Sequence, residues 1–218
     1  MESDMELSID RRYFTASALG LFLATRFVAL ANTPVTLLVV GDSLSAEYGL
    51  KRGTGWVALL DKRLREEGRP VTVINASVSG DTTSGGLSRL PALLTQHKPQ
   101  VVLIELGGND ALRGLPLKTS QDNLQAMVKA AQTQGAKVLL LGMQVPPNYG
   151  PQYAAEFSAM YAAVATRHKT GLVPFFLKGV ADAGNADAMF QNDRIHPVES
   201  AHPIMLANVW PQLRKLLP

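Results

Sequence analysis

Five short apolar runs that alternate with helix-like segments constrain the fold of this chain more than any other feature. The runs have the length of β-strands and lie at residues 35–40, 71–74, 101–106, 137–141 and 171–174. Between them, leucine and other apolar residues recur at helical spacing. Runs that are apolar on both faces are typical of parallel strands covered by helices on each side. The sequence therefore predicts a doubly wound α/β fold, a flavodoxin-like three-layer α/β/α sandwich with a parallel five-stranded sheet.

The N-terminal segment has the order of features found in a secretory signal. Adjacent arginines at positions 11–12 precede the apolar run T-A-S-A-L-G-L-F-L-A, and A-L-A at 29–31 supplies a cleavage pattern. Adjacent arginines followed by phenylalanine favour the twin-arginine route, whereas Arg26 is an irregularity. An N-terminal helix packed on the domain and an uncleaved anchor are the alternatives. We predict a signal peptide over residues 1–31, a single domain over residues 32–218, and a periplasmic or secreted location.

Composition argues against several classes of function. The chain has no cysteine, so it has neither disulfides nor a thiolate for catalysis or metal binding. Its formal net charge is +3, with lysine and arginine scattered singly, whereas nucleic-acid binding would need a clustered basic stripe. The dinucleotide fingerprint G-x-G-x-x-G, the P-loop lysine pattern and the G-x-S-x-G nucleophile elbow are all missing from the sequence.

Polar clusters follow three of the predicted strands, and a fourth precedes the last predicted helix. They are G-D-S-L-S from Gly41, N-A-S-V-S-G-D from Asn75, G-G-N-D from Gly107 and D-R-I-H-P from Asp193. Ligands of doubly wound sheets bind outside the carboxyl ends of the strands. We therefore expect these clusters to meet in one site.

The residue types in these clusters suit acyl transfer. A serine hydroxyl such as that of Ser43 is a weak nucleophile until a base, usually histidine, takes its proton. His196 follows Asp193 by three residues, so one short turn can join the carboxylate to one ring nitrogen and leave the other for Ser43. An oxyanion then needs hydrogen-bond donors. Suitable donors are the N–H of Ser43 at a predicted helix start, the N–H of Gly80 and the Asn109 side-chain amide.

These four blocks, in this order, resemble the SGNH or GDSL hydrolases. The matching residues are Ser43 in G-D-S-L-S, Gly80 in S-V-S-G-D, Asn109 in G-G-N-D and His196 in D-R-I-H-P. The chain most resembles the bacterial subgroup of multifunctional acyl-CoA thioesterases, proteases and lysophospholipases, also called arylesterases. The resemblance implies the SGNH hydrolase fold, a Ser43 nucleophile with Asp193 and His196 completing the triad, and an oxyanion hole from Ser43, Gly80 and Asn109.

The resemblance also implies what the protein acts on. It implies a serine esterase or thioesterase that hydrolyses acyl esters or acyl thioesters through an acyl-enzyme on Ser43. No metal or other cofactor, no nucleic acid and no obligate protein partner is expected, and transient contact with lipid is allowed. Glu47 departs from the pattern, because relatives commonly have glycine there, and this leaves substrate preference open.

Leu112, Tyr149 and Ile195 are predicted substrate-binding residues. Leu112 and the neighbouring Leu115 and Pro116, together with the P-P-N-Y-G segment, form apolar loops beside the predicted site. The resemblance implies an acyl-chain groove there, although ordinary loop packing explains the same residues.

Several residues also have alternative interpretations. His202 is a rival for the base, whereas His97 and His168 lie at predicted helix ends, where solvation or capping explains them. Asp42 is predicted to be a structural hydrogen-bonding residue.

Two other classes of function stay open at this point. One is a metal-dependent phosphoesterase, with Asp42, Asn109, Asp193 and His196 as metal ligands. The other is a non-catalytic, flavodoxin-like ligand-binding protein.

Overall fold

All five predicted strands form, and each is parallel to its neighbours in one sheet. A computed structural model describes residues 34–218, so the predicted signal over residues 1–31 lies outside the described residues. The strands run in the order β2-β1-β3-β4-β5. Their bounds are β1 (Val35–Gly41), β2 (Val71–Asn75), β3 (Val101–Glu105), β4 (Lys137–Leu141) and β5 (Gly171–Val173). The predicted fold is confirmed.

Helices cover both faces of the sheet. They are α1 (Trp56–Glu66), α2 (Thr83–His97), α3 (Gly108–Leu112), α4 (Leu117–Thr133), α5 (Pro151–His168), α6 (Ala186–Met189) and α7 (His202–Leu213). Helix α1 packs beside α7, whereas α4 packs between α2 and α5. Because right-handed crossovers to opposite edges of a sheet place their helices on opposite faces, these are the two outer layers. The sequence did not predict α3 and α6, which are too short to show a helical period.

The core explains why the strands lack an alternating pattern. Side chains of β1 and β3 from Leu37 to Val40 and from Val102 to Ile104 have no exposed surface, so both faces of these strands are buried. Helix α1 contributes Trp56, Leu60 and Leu64, which share one face at a spacing of four residues and are completely buried. Residues 34–218 include no helix with the length and apolar character that crossing a membrane requires.

Strand β1 lies where the order of strands reverses. The chain passes from β1 to β2 on one side and reaches β3 on the other side of β1. The loops at the carboxyl ends of these strands therefore diverge and leave an open crevice at a topological switch point. Ser43 follows β1 directly, with the Gly80 loop after β2 and the Asn109 segment after β3 on its two sides.

Candidate active site

The structure brings the three predicted triad residues into one hydrogen-bonded chain. The Nε2 atom of His196 lies 2.8 Å from the Oγ atom of Ser43. The Nδ1 atom of His196 lies 2.7 Å from the Oδ2 atom of Asp193. An ionised carboxylate only accepts hydrogen bonds, so the Nδ1–H group of His196 donates to Asp193 and the lone pair on Nε2 faces Ser43. In this arrangement His196 can take the proton of the serine hydroxyl.

A tight turn holds Asp193 in place under the imidazole. Its Oδ1 atom accepts the backbone N–H groups of Ile195 at 2.9 Å and of His196 at 3.0 Å. The hydrogen bond from the His196 side chain, followed by these two backbone bonds, lowers the pKa of Asp193 from 3.8 to about 2. A lowered carboxyl pKa stabilises the folded state above the unfolded pKa, and this contribution is lost as the pH falls through the folded pKa. Asp193 therefore stays ionised down to about pH 2.

The segment that carries Ser43 is a series of turns. The N–H of Ala46 donates to the Asp42 carbonyl at 2.9 Å, and the N–H of Tyr48 donates to the Ser43 carbonyl at 3.3 Å. The prediction of a helix start at Ser43 is therefore wrong, because residues 42–50 do not continue these turns into a helix. The hydroxyl of Ser45 anchors the segment to the core by donating to Glu105 at 2.7 Å.

Three donors that suit an oxyanion remain available around Ser43. The backbone N–H groups of Ser43 and Gly80 have no acceptor within residues 34–218. Gly80 has φ +78°, a left-handed conformation that favours glycine, and its carbonyl accepts a 2.7 Å hydrogen bond from Arg113. The Nδ2 group of Asn109 donates one hydrogen to Asp42 at 2.9 Å, which leaves its second hydrogen for a ligand. Asn109 itself lies in the first turn of α3.

Asp42 orients the Asn109 amide. It is buried, and its Oδ1 atom accepts the N–H of Leu44 at 3.0 Å while its Oδ2 atom accepts from Asn109. Burial raises the pKa of Asp42 to about 6, and the Leu44 N–H opposes this shift. Near neutral pH Asp42 is therefore mainly ionised and accepts only, so the Asn109 amide must turn its NH₂ group toward it. These contacts agree with the predicted structural role of Asp42.

Glu105 is a second buried carboxyl group near Ser43, and the sequence motifs do not indicate it. Its Oε2 atom accepts the Ser45 hydroxyl and the Asp42 backbone N–H, whereas Oε1 has no partner among the described residues. Burial, and then the charge of Asp42, raise the pKa of Glu105 well above 4.5. The raised pKa favours the protonated form of Glu105, which leaves Asp42 as the carboxyl of the pair that more readily carries the negative charge. The only signal in the sequence was the acidic residue that ends the run V-V-L-I-E.

Glu105→Gln is expected to flatten the dependence of stability on pH. A carboxyl pKa that folding raises gives a contribution that is complete below the unfolded value of 4.5 and is lost as the pH rises through the folded value. Glutamine has no proton to lose, so the melting temperature of the variant, compared with that of the wild type, should rise as the pH increases above 4.5. Melting curves across this range test the effect, with the exposed Glu66→Gln as the control. Parallel pH profiles for wild type and Glu105→Gln would contradict the assignment.

Asp110 supports the site without facing it. Its carboxylate is buried and accepts the backbone N–H of Thr83 at 2.9 Å and the hydroxyl of Ser120 at 3.0 Å. These bonds join the starts of α2 and α4 to α3, so Asp110 fixes the short helix that presents Asn109.

The other histidines have structural positions. His202 is buried, and its Nδ1 atom accepts the N–H of Trp56 at 3.0 Å, which caps the first turn of α1. Burial lowers the pKa of His202, and the accepted hydrogen bond requires an unprotonated Nδ1 atom. His97 and His168 are the last residues of α2 and α5. Of the histidines within residues 34–218, only His196 is hydrogen-bonded to the Ser43 side chain.

Tyr48 contacts the proposed catalytic base, and the preceding Glu47 holds the loop that carries Tyr48. The Tyr48 ring lies over the His196 ring, with the ring centroids 4.2 Å apart. Glu47 has φ +61°, which explains why glycine suits this position. Its carboxylate accepts the N–H groups of Gly53 at 3.0 Å and Gly55 at 2.8 Å. Glu47 thus ties down the loop beside Tyr48 by means of hydrogen bonds that glycine cannot make.

The three predicted substrate-binding residues fall into two groups. Leu112 ends α3, three residues after Asn109, and is 52% exposed, and Ile195 precedes His196 and is 44% exposed. Tyr149 is partly buried, and its ring packs on Tyr153 in a row of aromatic rings along α5. Leu112 and Ile195 are therefore exposed next to proposed catalytic residues. Tyr149 instead packs against a residue of α5.

Within residues 34–218, no group of three histidine, cysteine, aspartate or glutamate side chains is placed to hold a metal ion. The four ligands considered for a phosphoesterase are instead joined in pairs. Asp193 binds His196, and Asp42 binds Asn109.

Comparisons with known proteins find a matching family and similar proteins over most of the chain. Residues 39–203 match the model of the GDSL-like Lipase/Acylhydrolase family. The chain is 55% identical over 207 residues to the Esterase TesA of Pseudomonas aeruginosa, which covers 95% of this chain and 100% of that protein. It is 40% identical over 199 residues to Thioesterase 1/protease 1/lysophospholipase L1 of Escherichia coli strain K12, covering 91% of each chain.

A solved structure is similar in fold as well as in sequence. The psychrotrophic esterase EstA from Pseudoalteromonas sp., in a crystal structure inhibited by monoethylphosphonate, superposes with a TM-score of 0.77 at 43% identity. The match covers 83% of this chain and 97% of that chain.

Proposed function

The chain belongs to the GDSL-like lipase/acylhydrolase family, and from this premise we propose that Ser43, His196 and Asp193 hydrolyse acyl esters and thioesters. The protein is a carboxylic ester hydrolase. The observation that carries the residue assignment is the hydrogen-bonded chain from Asp193 through His196 to Ser43, with distances of 2.7 Å and 2.8 Å.

The reaction begins when His196 Nε2 takes the proton of Ser43 as Oγ attacks the acyl carbonyl carbon. The carbonyl oxygen becomes an oxyanion that accepts hydrogen bonds from the N–H groups of Ser43 and Gly80 and from the Asn109 amide. Collapse of this intermediate breaks the bond to the alcohol or thiol, which leaves with the proton from His196. A water molecule, deprotonated by His196, then attacks the acyl-enzyme, and as the bond to Ser43 Oγ breaks His196 returns the proton to Oγ and the carboxylic acid is released.

The proposed substrates are acyl thioesters, lysophospholipids and aryl esters, which all undergo this same sequence of steps. The names of the similar proteins support this range, since they include an esterase and a thioesterase that is also a lysophospholipase. A panel of p-nitrophenyl esters and acyl-CoAs of graded chain length measures the preference for acyl chain and leaving group. We expect turnover of both classes, with no loss of rate when a chelator is added.

A serine-directed phosphonate tests the proposal directly. The wild-type protein should gain one covalent adduct, which peptide mass spectrometry should place on Ser43, while esterase activity is lost in parallel. The folded Ser43→Ala protein should gain no adduct. Phosphomonoesterase activity that a chelator abolishes, with Ser43 unlabelled, would favour the metal-dependent alternative.

We also propose that the protein is exported with cleavage close to Ala31. The twin arginines, the apolar run and the A-L-A pattern support this proposal. N-terminal sequencing of protein from the extracytoplasmic fraction should find a start near Asn32. A chain that still begins at Met1 or Met5 in the cytoplasm would rule export out.

A further inference from the structure

The large apolar side chains that residues 34–218 expose are concentrated around the proposed catalytic residues. Four such side chains are at least 44% exposed: Tyr48, Val78, Leu112 and Ile195. Each lies within five residues of Ser43, Gly80, Asn109 or His196, respectively. Singly exposed apolar residues are ordinary on protein surfaces, whereas a group of them at one place marks a contact surface. We call these four residues the apolar rim.

Direct contacts connect the apolar rim to the site. The Tyr48 ring lies 4.2 Å from the ring of His196, which is the residue after Ile195. Arg113, the residue after Leu112, donates a 2.7 Å hydrogen bond to the carbonyl of Gly80, two residues beyond Val78. All four rim residues belong to segments that follow strands or precede α7 at the carboxyl edge of the sheet. The apolar rim therefore borders Ser43 from several sides.

Positive charge accompanies the apolar rim. Four exposed basic residues lie on the same segments: Lys51, Arg52, Arg113 and Arg194. None of them forms an ion pair within 4.0 Å in the part of the chain that the structure describes. Several neighbouring carboxylates already have partners, namely Glu47 with Gly53 and Gly55, Asp81 with Arg89, and Asp193 with His196. Only Asp81 is paired with a cation, and Glu47, Asp193 and exposed Glu199 keep their negative charges, so the four cations exceed these three carboxylates by one positive charge.

We propose that the apolar rim and these four cations dock the enzyme on the surface of an anionic lipid aggregate, with Ser43 facing that surface. Apolar side chains that enter the boundary between headgroups and acyl chains, together with cations that contact phosphates, are the two attractions that hold proteins on such surfaces. A nucleic acid would engage the cations and leave the apolar side chains uncovered. The inference extends the proposed function, because docking presents a lipid ester to Ser43 without release into water.

Vesicle sedimentation with the Ser43→Ala chain tests docking without hydrolysis. Vesicles of phosphatidylglycerol should bind this protein, vesicles of phosphatidylcholine should bind it much more weakly, and added salt should release it. Since the apolar N-terminal run is itself able to contribute, every comparison is made between full chains that differ only at the tested positions.

Two double variants separate the two attractions. Lys51→Gln with Arg52→Gln should weaken binding roughly thirty-fold, because each cation contributes about fivefold at an anionic surface. Val78→Ser with Leu112→Ser should weaken binding to both kinds of vesicle. The matched control is Lys98→Gln with Lys169→Gln, which removes the same charge from the opposite edge of the sheet and should leave binding within about twofold.

The outcomes distinguish docking from the proposed function. Turnover of a soluble short-chain p-nitrophenyl ester by the wild type tests the function alone. The docking proposal is wrong if this turnover is present but the protein does not bind vesicles. It is also wrong if the control pair weakens vesicle binding as much as the Lys51/Arg52 pair. A concentration-dependent dimer that the Val78/Leu112 pair abolishes, without vesicle binding, would assign the rim to a second copy of the chain instead.

Discussion

Ser43→Ala and His196→Ala are each expected to lower kcat by about 10⁶-fold, because nucleophile and base act as one unit. Without the Ser43 hydroxyl no acyl-enzyme forms, and without His196 neither the proton of Ser43 nor that of the leaving group has a carrier. The 2.8 Å contact between His196 Nε2 and Ser43 Oγ is the reason to expect losses of similar size. Any residual rate should come from the oxyanion donors and from substrate binding alone.

His202→Ala is the matched control for the base. His202 is buried and accepts a hydrogen bond from the N–H of Trp56. Its removal leaves this buried N–H at the start of α1 without an acceptor, which should lower the melting temperature. The folded fraction of this variant should keep most of the wild-type kcat. Near-normal turnover in His196→Ala, together with loss of turnover in folded His202→Ala, would reverse the assignment of the base.

Asn109→Ala should lower kcat by about 10²–10³-fold with little change in KM. The hydrogen bond from the Asn109 amide strengthens as charge develops on the carbonyl oxygen, so its loss affects the transition state more than the bound substrate. Asn109→Asp should also lower kcat. In the wild type Asp42 accepts a 2.9 Å hydrogen bond from the Asn109 amide, and the variant places a second carboxylate beside Asp42 instead. Kinetics on material shown to be folded, beside a melting curve, measure both effects.

Asn208→Ala provides a matched control for the loss of an asparagine amide. Asn208 is half-buried and donates to the carbonyls of Phe176 at 3.0 Å and Lys178 at 2.7 Å, away from the triad. This variant should lose stability and keep its kcat. A folded Asn109→Ala enzyme within a few-fold of the wild-type kcat would refute the oxyanion role and leave Asn109 with a structural role.

Much of the fold was predictable because its signals are local. Buried parallel strands must be apolar along their whole length, and five runs of this kind placed the strand ends to within one residue. The meeting of the four polar blocks was predictable as well, because ligands of such sheets bind at the loops beyond the carboxyl ends of the strands. The short α3 escaped prediction because five residues are too few for a helical period to show, and the turns after Ser43 mimic a helix start in sequence.

The strands, the order of the motifs and the chemical groups that meet in the site are all readable from the amino-acid sequence, because periodicity and residue type are properties of neighbouring positions. Other features depend on packing between segments that are far apart in the chain, and these come from the three-dimensional fold. It buried Glu105 behind Asp42, turned the Asn109 amide toward that carboxylate, placed His202 as a helix cap and packed the Tyr48 ring against His196. Burial removes water from these groups, so their protonation and hydrogen bonding depend on partners that local sequence does not specify.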